Sequence, residues 1–237
     1  MESMSEAIII IPAYNEEKNI AGVINRIKNV IPDADILVVN DGGEDQTEEI
    51  ARQLGARVIS LPYNMGYGVA LQTGFKFALK KGYEYAVQID ADGQHDPEDI
   101  PKLLDEVLKN KADVIIGSRF LDKGNYRAPF IRRVGMLFFA KLTSLIIGEK
   151  ITDPTSGYQA INKHGLQFYA GDNYPVDFPD ADVIIMLHRA GLKIKEIPVN
   201  MYPGVQGKSM HSGLKPVYYI FKMVLSIIVT LLRKAES

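Results

Sequence analysis

The sequence predicts an α/β fold: a mostly parallel sheet with helices on both faces, followed by a C-terminal apolar, amphipathic helix. Short β-branched runs alternate with helix-period segments through the first half of the chain, the pattern of repeated strand–helix–strand units. Five of these strands lead into polar or glycine-rich motifs: Pro12 to Glu16, Asp41, Asn64 to Gly68, Asp90 to Gln94, and Arg119. A parallel sheet delivers such ends to one edge, where open α/β sheets bind ligands.

The elements follow in order. Residues 8–11 form a continuous apolar run, as in a strand buried on both faces, and residues 15–29 alternate at helical spacing. Residues 35–39 form a second strand ending at Asn40-Asp41-Gly42-Gly43, and a helix covers about 47–54. A third strand spans 57–61 and a third helix 66–81. The fourth strand, 85–89, leads to a helix over 97–109, with Asp96 as N-cap and Pro97 at the first position. A fifth strand, 114–116, ends at Gly117-Ser118-Arg119. Beyond residue 120 the pattern loosens: an apolar stretch at 136–147 follows Arg132 and Arg133, and Asp153 to Gly157 reads as a loop. A strand at 158–161, a helix at about 180–190 and a strand at 193–199 complete a catalytic unit of residues 1–200. Residues 201–237 then read as a mobile loop and an apolar helix over 217–232.

Composition narrows the function. A hydrophobic fraction of 46% with 24% charged residues is ordinary for a globular protein and argues against disorder. The net charge of -2 offers no general case for nucleic-acid binding. The C-terminal part is different, with Lys208, Lys215, Lys222, Arg233 and Lys234 opposed by Glu236 alone. A basic, apolar tail on an acidic body suits a surface facing anionic lipid or phosphate. As a helix the last segment would extend about 24 Å, short of the roughly 30 Å hydrocarbon core. The expectation is an interfacial helix or an oligomer contact, with packing onto the chain's own body as the plainer alternative. The chain contains no cysteine, which excludes disulfides and thiol chemistry. The acidic first residues lead straight into a strand and do not read as a signal peptide, so a cytoplasmic protein is expected.

Asp90-Ala91-Asp92-Gly93-Gln94-His95 is the main chemical signal. Hard oxygen ligands at a strand end suit Mg²⁺ or Mn²⁺, which bind through one or two carboxylates plus substrate phosphates. Asp90, Asp92 and Gln94 are the candidate metal ligands. Capping the next helix is the alternative task for these acids, but Asp96 already supplies that cap. Asp41, beside two glycines, is placed to accept hydrogen bonds from a base or ribose, or else to close a simple turn. A dinucleotide-binding fingerprint starting at Gly66 fails because Leu71 stands where glycine is required. No P-loop and no nucleophile elbow occur. His95, His164, His188 and His211 show no metal-ligand spacing, and His188, in an apolar helical stretch, reads as structural.

Taken together, Pro12-Ala13-Tyr14-Asn15-Glu16, Asn40-Asp41-Gly42, Asn64-x-Gly66-x-Gly68-x-Ala70, the Asp90 to His95 motif, Gly117-Ser118-Arg119 and Asp153-x-Thr155-Ser156-Gly157 resemble the family 2 glycosyltransferases of GT-A fold. Within that family they are most similar to the polyprenyl-phosphate (dolichol-phosphate) mannosyl- and glucosyltransferases, over roughly residues 7–213. The resemblance implies an inverting transfer from a nucleoside diphosphate sugar, GDP- or UDP-linked, with Mg²⁺ or Mn²⁺ as cofactor. It implies that Pro12, Tyr14, Glu16 and Asp41 hold the nucleoside. Asp90, Ala91 and Asp92 would contact the sugar diphosphate and metal, and Arg119 would face the phosphates of donor and acceptor.

A lipid phosphate acceptor is already an anion and needs no protein base. Cations must then bring two anions together, and Arg119, Arg132 and Arg133 are the candidates. A hydroxyl acceptor, as in cell-surface polysaccharide assembly, needs a carboxylate, for which Asp153 is the choice. The family's late R-x-x-G-x-S motif departs here, with Gly204 in place of its arginine and Lys208 or His211 as replacement cations. A nucleotide-sugar-binding scaffold without catalysis is the reading from another class. The expected partners are the donor, polyprenyl phosphate and the cytosolic membrane surface, with a homo-oligomer or small membrane protein as further candidates.

Overall fold

The computed structural model describes residues 6–109, 111–121, 130–202 and 215–233. Strand β1 (Ala7–Ala13) is buried along its whole length, as its unbroken aliphatic run requires. It pairs in parallel with β2 (Asp35–Asn40) on one side and β4 (Tyr85–Gln88) on the other. Strand β3 (Arg57–Ser60) adds to β2, and β5 (Val114–Ser118) pairs in parallel with β7 (Ile194–Pro198). Between β4 and β5 lies β6 (Gln159–Asn162), antiparallel to both. The seven strands take the order β3-β2-β1-β4-β6-β5-β7. The α/β class and mostly parallel sheet are as expected, and the reversed strand is the addition.

Each face of the sheet carries one apolar layer. Helix α1 (Ile20–Val30) buries Ile20, Val23, Ile24 and Ile27, and α4 (Ile100–Leu108) buries Ile100, Leu103, Leu104 and Val107 in the same spacing. Both meet the Ile9 and Ile11 side of β1. Helices α3 (Tyr67–Lys81), α5 (Phe130–Ile147), α6 (Lys163–Tyr169), α7 (Ala181–Arg189) and α8 (Lys215–Leu232) cover the Ile8 and Ile10 side. The short α2 (Thr47–Gln53) lies against β3.

The first helix starts five residues later than its periodicity predicts. Asn15 holds a positive φ of 56°. The amide of Glu16 donates to Thr47 Oγ1 at 2.8 Å and that of Glu17 to Asp45 at 3.0 Å. Bonds to another loop thus replace the first helical turn. The Asp96 cap forms as expected, accepting from the Glu98 amide, but it opens a 3₁₀ turn (Pro97–Asp99) before α4 begins. Helix α6, capped by the Asn162 side chain accepting from the Gly165 amide, had no counterpart in the sequence reading.

Helix α8 has two faces. Met223 and Ile227 are buried against the body, and the Arg189 guanidinium holds the terminal carbonyls of Thr230, Leu231 and Arg233 at 3.0, 2.9 and 2.6 Å. Outward, Tyr218, Phe221, Leu225, Ile228 and Leu232 form an exposed stripe at helical spacing. Among the described residues no helix is long and apolar enough to cross a membrane. His188, read from the sequence as structural, is exposed near the end of α7.

Candidate donor and metal site

The glycine-rich loop before α3 is built around Asp41. This carboxylate, 4% exposed at the end of β2, accepts from the amides of Met65 at 2.7 Å and Gly66 at 3.0 Å. Asp41 therefore closes no local turn: it reaches 24 residues ahead and fixes the loop after β3. Tyr14, after β1, is 49% exposed and free to meet a ligand, whereas Pro12 lies within the buried strand. The Glu16 carboxylate accepts from Asn19 Nδ2 at 2.7 Å. Burial raises its pKa, and the charges of Asp92, Asp45 and Asp90 add to that.

The acidic loop after β4 is held from three directions. Tyr67 Oη donates to Asp90 Oδ1 at 2.7 Å and accepts from Gln88 Nε2 at 3.1 Å. The Asp90 amide donates to His95 Nδ1 at 3.2 Å. His95, 3% exposed, stacks on Tyr158 at 4.8 Å, and Tyr158 Oη donates to the Asp96 carbonyl at 2.8 Å. Burial pulls the imidazole down to about 4, so it is neutral near pH 7 with the proton on Nε2. From the third side, the Tyr202 amide donates to the Gln94 carbonyl at 2.7 Å and Tyr202 Oη to Asp96 at 2.9 Å. Ala91, 3% exposed, packs beneath the loop in the same apolar layer as α1.

Burial raises the pKa of both loop acids, and the charge of Asp90 raises that of Asp92 further. With Glu16 alongside, this negative cluster suits a hard divalent cation. Among the described residues, no three His, Cys, Asp or Glu side chains form a metal cluster. The described residues thus offer at most a partial coordination sphere, the usual situation for Mg²⁺ or Mn²⁺ shared with substrate phosphates. Gln94 differs from its expected role: its amide nitrogen donates to Asp92 Oδ2 at 2.6 Å, leaving only its oxygen for an ion.

Arg119 and Asp153, expected as a phosphate-facing cation and a base, are joined to each other. Arg119 Nε lies 2.6 Å from Asp153 Oδ2 and Nη2 lies 2.5 Å from Oδ1, with the Arg119 amide also on Oδ2 at 3.0 Å. Their side chains are 4% and 0% exposed. Glu196 secures the same loop, accepting from the amides of Thr152 at 2.8 Å and Asp153 at 2.7 Å. The Asp153 carboxylate is thus enclosed, with both of its oxygens engaged by Arg119. Arg133 is exposed on α5. The Arg132 side chain, Lys208, Gly204 and His211 lie outside the described residues.

The reversed β6 explains why this loop joins the site. A Cβ on Gly157 would stand 2.8 Å from Tyr67 Oη and 3.3 Å from Asp90 Oδ2, so the backbone before β6 walls the acidic loop.

Asp180 was missed by sequence reasoning. Burial pushes its carboxyl up to about 7; Asp182 and Asp153 raise it further, while a 2.5 Å bond from Tyr219 Oη and the charge of Arg119 oppose the rise. Its native pKa exceeds the unfolded value of about 3.9, so the folded state binds the additional proton between the two. The associated stability is complete below about pH 4 and is lost as pH rises through about 7. Asp180→Asn is expected to flatten that decline, whose slope for one proton is at most about 1.4 kcal/mol per pH unit. Urea unfolding of both proteins from about pH 5 to about pH 8 reads it.

Comparison with known proteins identifies the chain. Residues 8–169 match the sequence profile of Glycosyl transferase family 2. The chain belongs to this family. It is 30% identical to the UDP-N-acetylglucosamine–dolichyl-phosphate N-acetylglucosaminyltransferase of Methanococcus voltae, over 91% of this chain and 94% of that protein. It is 32% identical to the polyprenol monophosphomannose synthase of Mycolicibacterium smegmatis, over 91% and 84%. Among solved structures, glucosyl-3-phosphoglycerate synthase from Mycobacterium tuberculosis in complex with Mn²⁺, UDP and glucosyl-3-phosphoglycerate superposes with a TM-score of 0.67 at 22% identity, covering 98% of this chain and 82% of that one. The fold is GT-A, and this family 2 protein is a glycosyltransferase.

Proposed function

We propose that this glycosyltransferase moves a sugar from a nucleoside diphosphate donor to polyprenyl phosphate, with inversion, at the cytosolic membrane face. The observation that carries the donor half is the Asp90 and Asp92 pair, fixed at the carboxyl edge of the sheet by Tyr67 and His95. The relatives named for dolichyl and polyprenol phosphate support the acceptor half.

A divalent ion held by Asp90 and Asp92 would neutralise charge on the departing diphosphate. The protein's own groups do the rest. Asp41 holds the glycine-rich loop open for the nucleotide, with Tyr14 exposed beside it. An ionised acceptor phosphate oxygen forms a bond to C1 on the face opposite the donor oxygen as the C1–O bond to the diphosphate breaks. No proton moves, so no base is required. The enclosure of Asp153 supports this acceptor, since both of its carboxylate oxygens already accept from the buried Arg119.

A hydroxyl acceptor is the second reading. One observation favours it: Asp180, pushed up to about 7, has the affinity for a proton that a base needs. A panel of UDP- and GDP-sugars with Mg²⁺ or Mn²⁺, offered a short polyprenyl phosphate and separately a glycan, decides between them. Lipid-linked product is the expected result, and glycan product alone would select the second reading. Nucleotide binding without product on either acceptor would identify a scaffold.

The exposed stripe of α8 supplies the membrane contact in this reading. Paired substitution Phe221→Ser and Leu225→Ser is expected to weaken co-sedimentation with anionic liposomes at least tenfold, by removing two side chains worth about 1.5–3 kcal/mol each when fully buried. Unchanged partitioning would assign the stripe to a protein interface.

A further inference from the structure

The segment 175–180 lies between α8 and the opening turn of α3, and both contacts are specific. On its outer side, Tyr219 Oη donates to Asp180 Oδ2 at 2.5 Å, Lys222 pairs with Asp177, and the Tyr219 ring meets the Phe178 ring edge-on at 5.3 Å. On its inner side, the Val176 carbonyl accepts from the Gly68 amide at 3.0 Å, satisfying one of the free N–H groups that open α3. The fit there is tight enough to exclude a side chain. A Cβ on Gly68 would stand 2.0 Å from the Pro175 carbonyl oxygen, and one on Gly66 2.8 Å from that of Val176. Slightly earlier in the chain, the Gly171 carbonyl accepts from Gln72 Nε2 at 2.6 Å, a second tie to α3.

The same turn of α3 faces the reaction site. Gly66 is held by Asp41, and Tyr67 holds Asp90. A continuous chain of contacts therefore runs from the buried edge of α8, through 175–180, to the loop that fixes the acidic pair.

We propose that Tyr219 and Lys222 are positioning residues whose seating of α8 on the 175–180 segment orders the donor loop at residues 64–70. The inference rests on the donor reading above for its functional meaning. Its physical content, coupling of one segment to another, does not. A protein whose apolar helix meets the lipid surface would thereby bind nucleotide most tightly when that helix is seated.

The test uses the full chain carrying Tyr219→Phe with Lys222→Met, and Tyr219→Phe alone as the milder variant. Hydrogen exchange by mass spectrometry is read on the peptide containing Gly66 and Gly68 in the free protein. UDP and GDP binding with Mn²⁺ is read by calorimetry. The expected result is exchange at that peptide accelerated by about fivefold or more in the double variant, with nucleotide affinity lowered by a similar factor, the low end of coupling between sites. Acceleration confined to residues 215–233, with the glycine-rich peptide unchanged, would overturn the proposal. Failure of the unsubstituted protein to bind either nucleotide would count against the donor reading alone, because the exchange measurement still decides the coupling.

Discussion

Asp92→Ala is expected to lower kcat by about 10²–10³-fold or more while leaving the fold intact. The two effects separate because Asp92 is held under unfavourable conditions: burial and the charge of Asp90 both raise its pKa. Removing it relieves repulsion, so the thermal midpoint should stay level or rise even as transfer is lost. The loss should be deepest where leaving-group charge develops, so saturating donor does not restore the rate. Asp90→Asn provides the companion measurement. It keeps an acceptor for Tyr67 Oη and should fold normally, yet it halves the charge offered to a cation. Near-normal transfer by Asp92→Ala across a Mn²⁺ titration would remove the acidic pair from the mechanism.

The second large effect is on stability. Asp153→Asn removes the carboxylate that holds the buried Arg119 guanidinium with two side-chain bonds, and breaking such a pair from one side costs about 3–5 kcal/mol. The pair joins β5 to the loop before β6, so the loss should appear in denaturant midpoints as well as in activity. Replacing both partners, Arg119→Met with Asp153→Leu, removes both buried charges together and should recover much of the stability without recovering transfer. A double variant as unstable as Asp153→Asn would show that the apolar pair fails to pack. Single Asp153→Asn with full stability would contradict the counter-ion assignment.

Much of the fold was legible because its signals are local. The aliphatic run of β1, the strand endings at Asp41 and Asp90, and the Asp96 cap with Pro97 each act over a few residues. The direction of β6 was not legible, since four residues can specify a strand but not its neighbours. The site divides the same way. The Asp90 to Gln94 motif announced itself by spacing, whereas the partners of its members come from afar: Tyr67 lies 23 residues before Asp90. Asp153 shows the limit most clearly. A lone acid in a loop reads as available for chemistry, and only burial beside Arg119, 34 residues earlier in the chain, reveals its charge as already committed. Asp177, Asp180 and Asp182 find their partners on α8, 39 to 45 residues onward, beyond the reach of any local pattern.

The reversed strand also constrains how the protein is made. Among the described residues, strands β4 and β5 do not pair with each other, and β6 lies between them. In a nascent chain emerging from the ribosome N-terminus first, the edges of β4 and β5 that β6 joins therefore stay unmatched until residue 162 is free of the exit tunnel. During that interval the β3-β2-β1-β4 half is a separate, apolar, edge-exposed intermediate, the sort of species that chaperones capture and that aggregates when they do not. Synthesis paused before β6 should yield a chain that is protease-sensitive around β5, and one paused after it should not. The strand that walls the acidic loop is thus also the last piece needed to close the middle of the sheet.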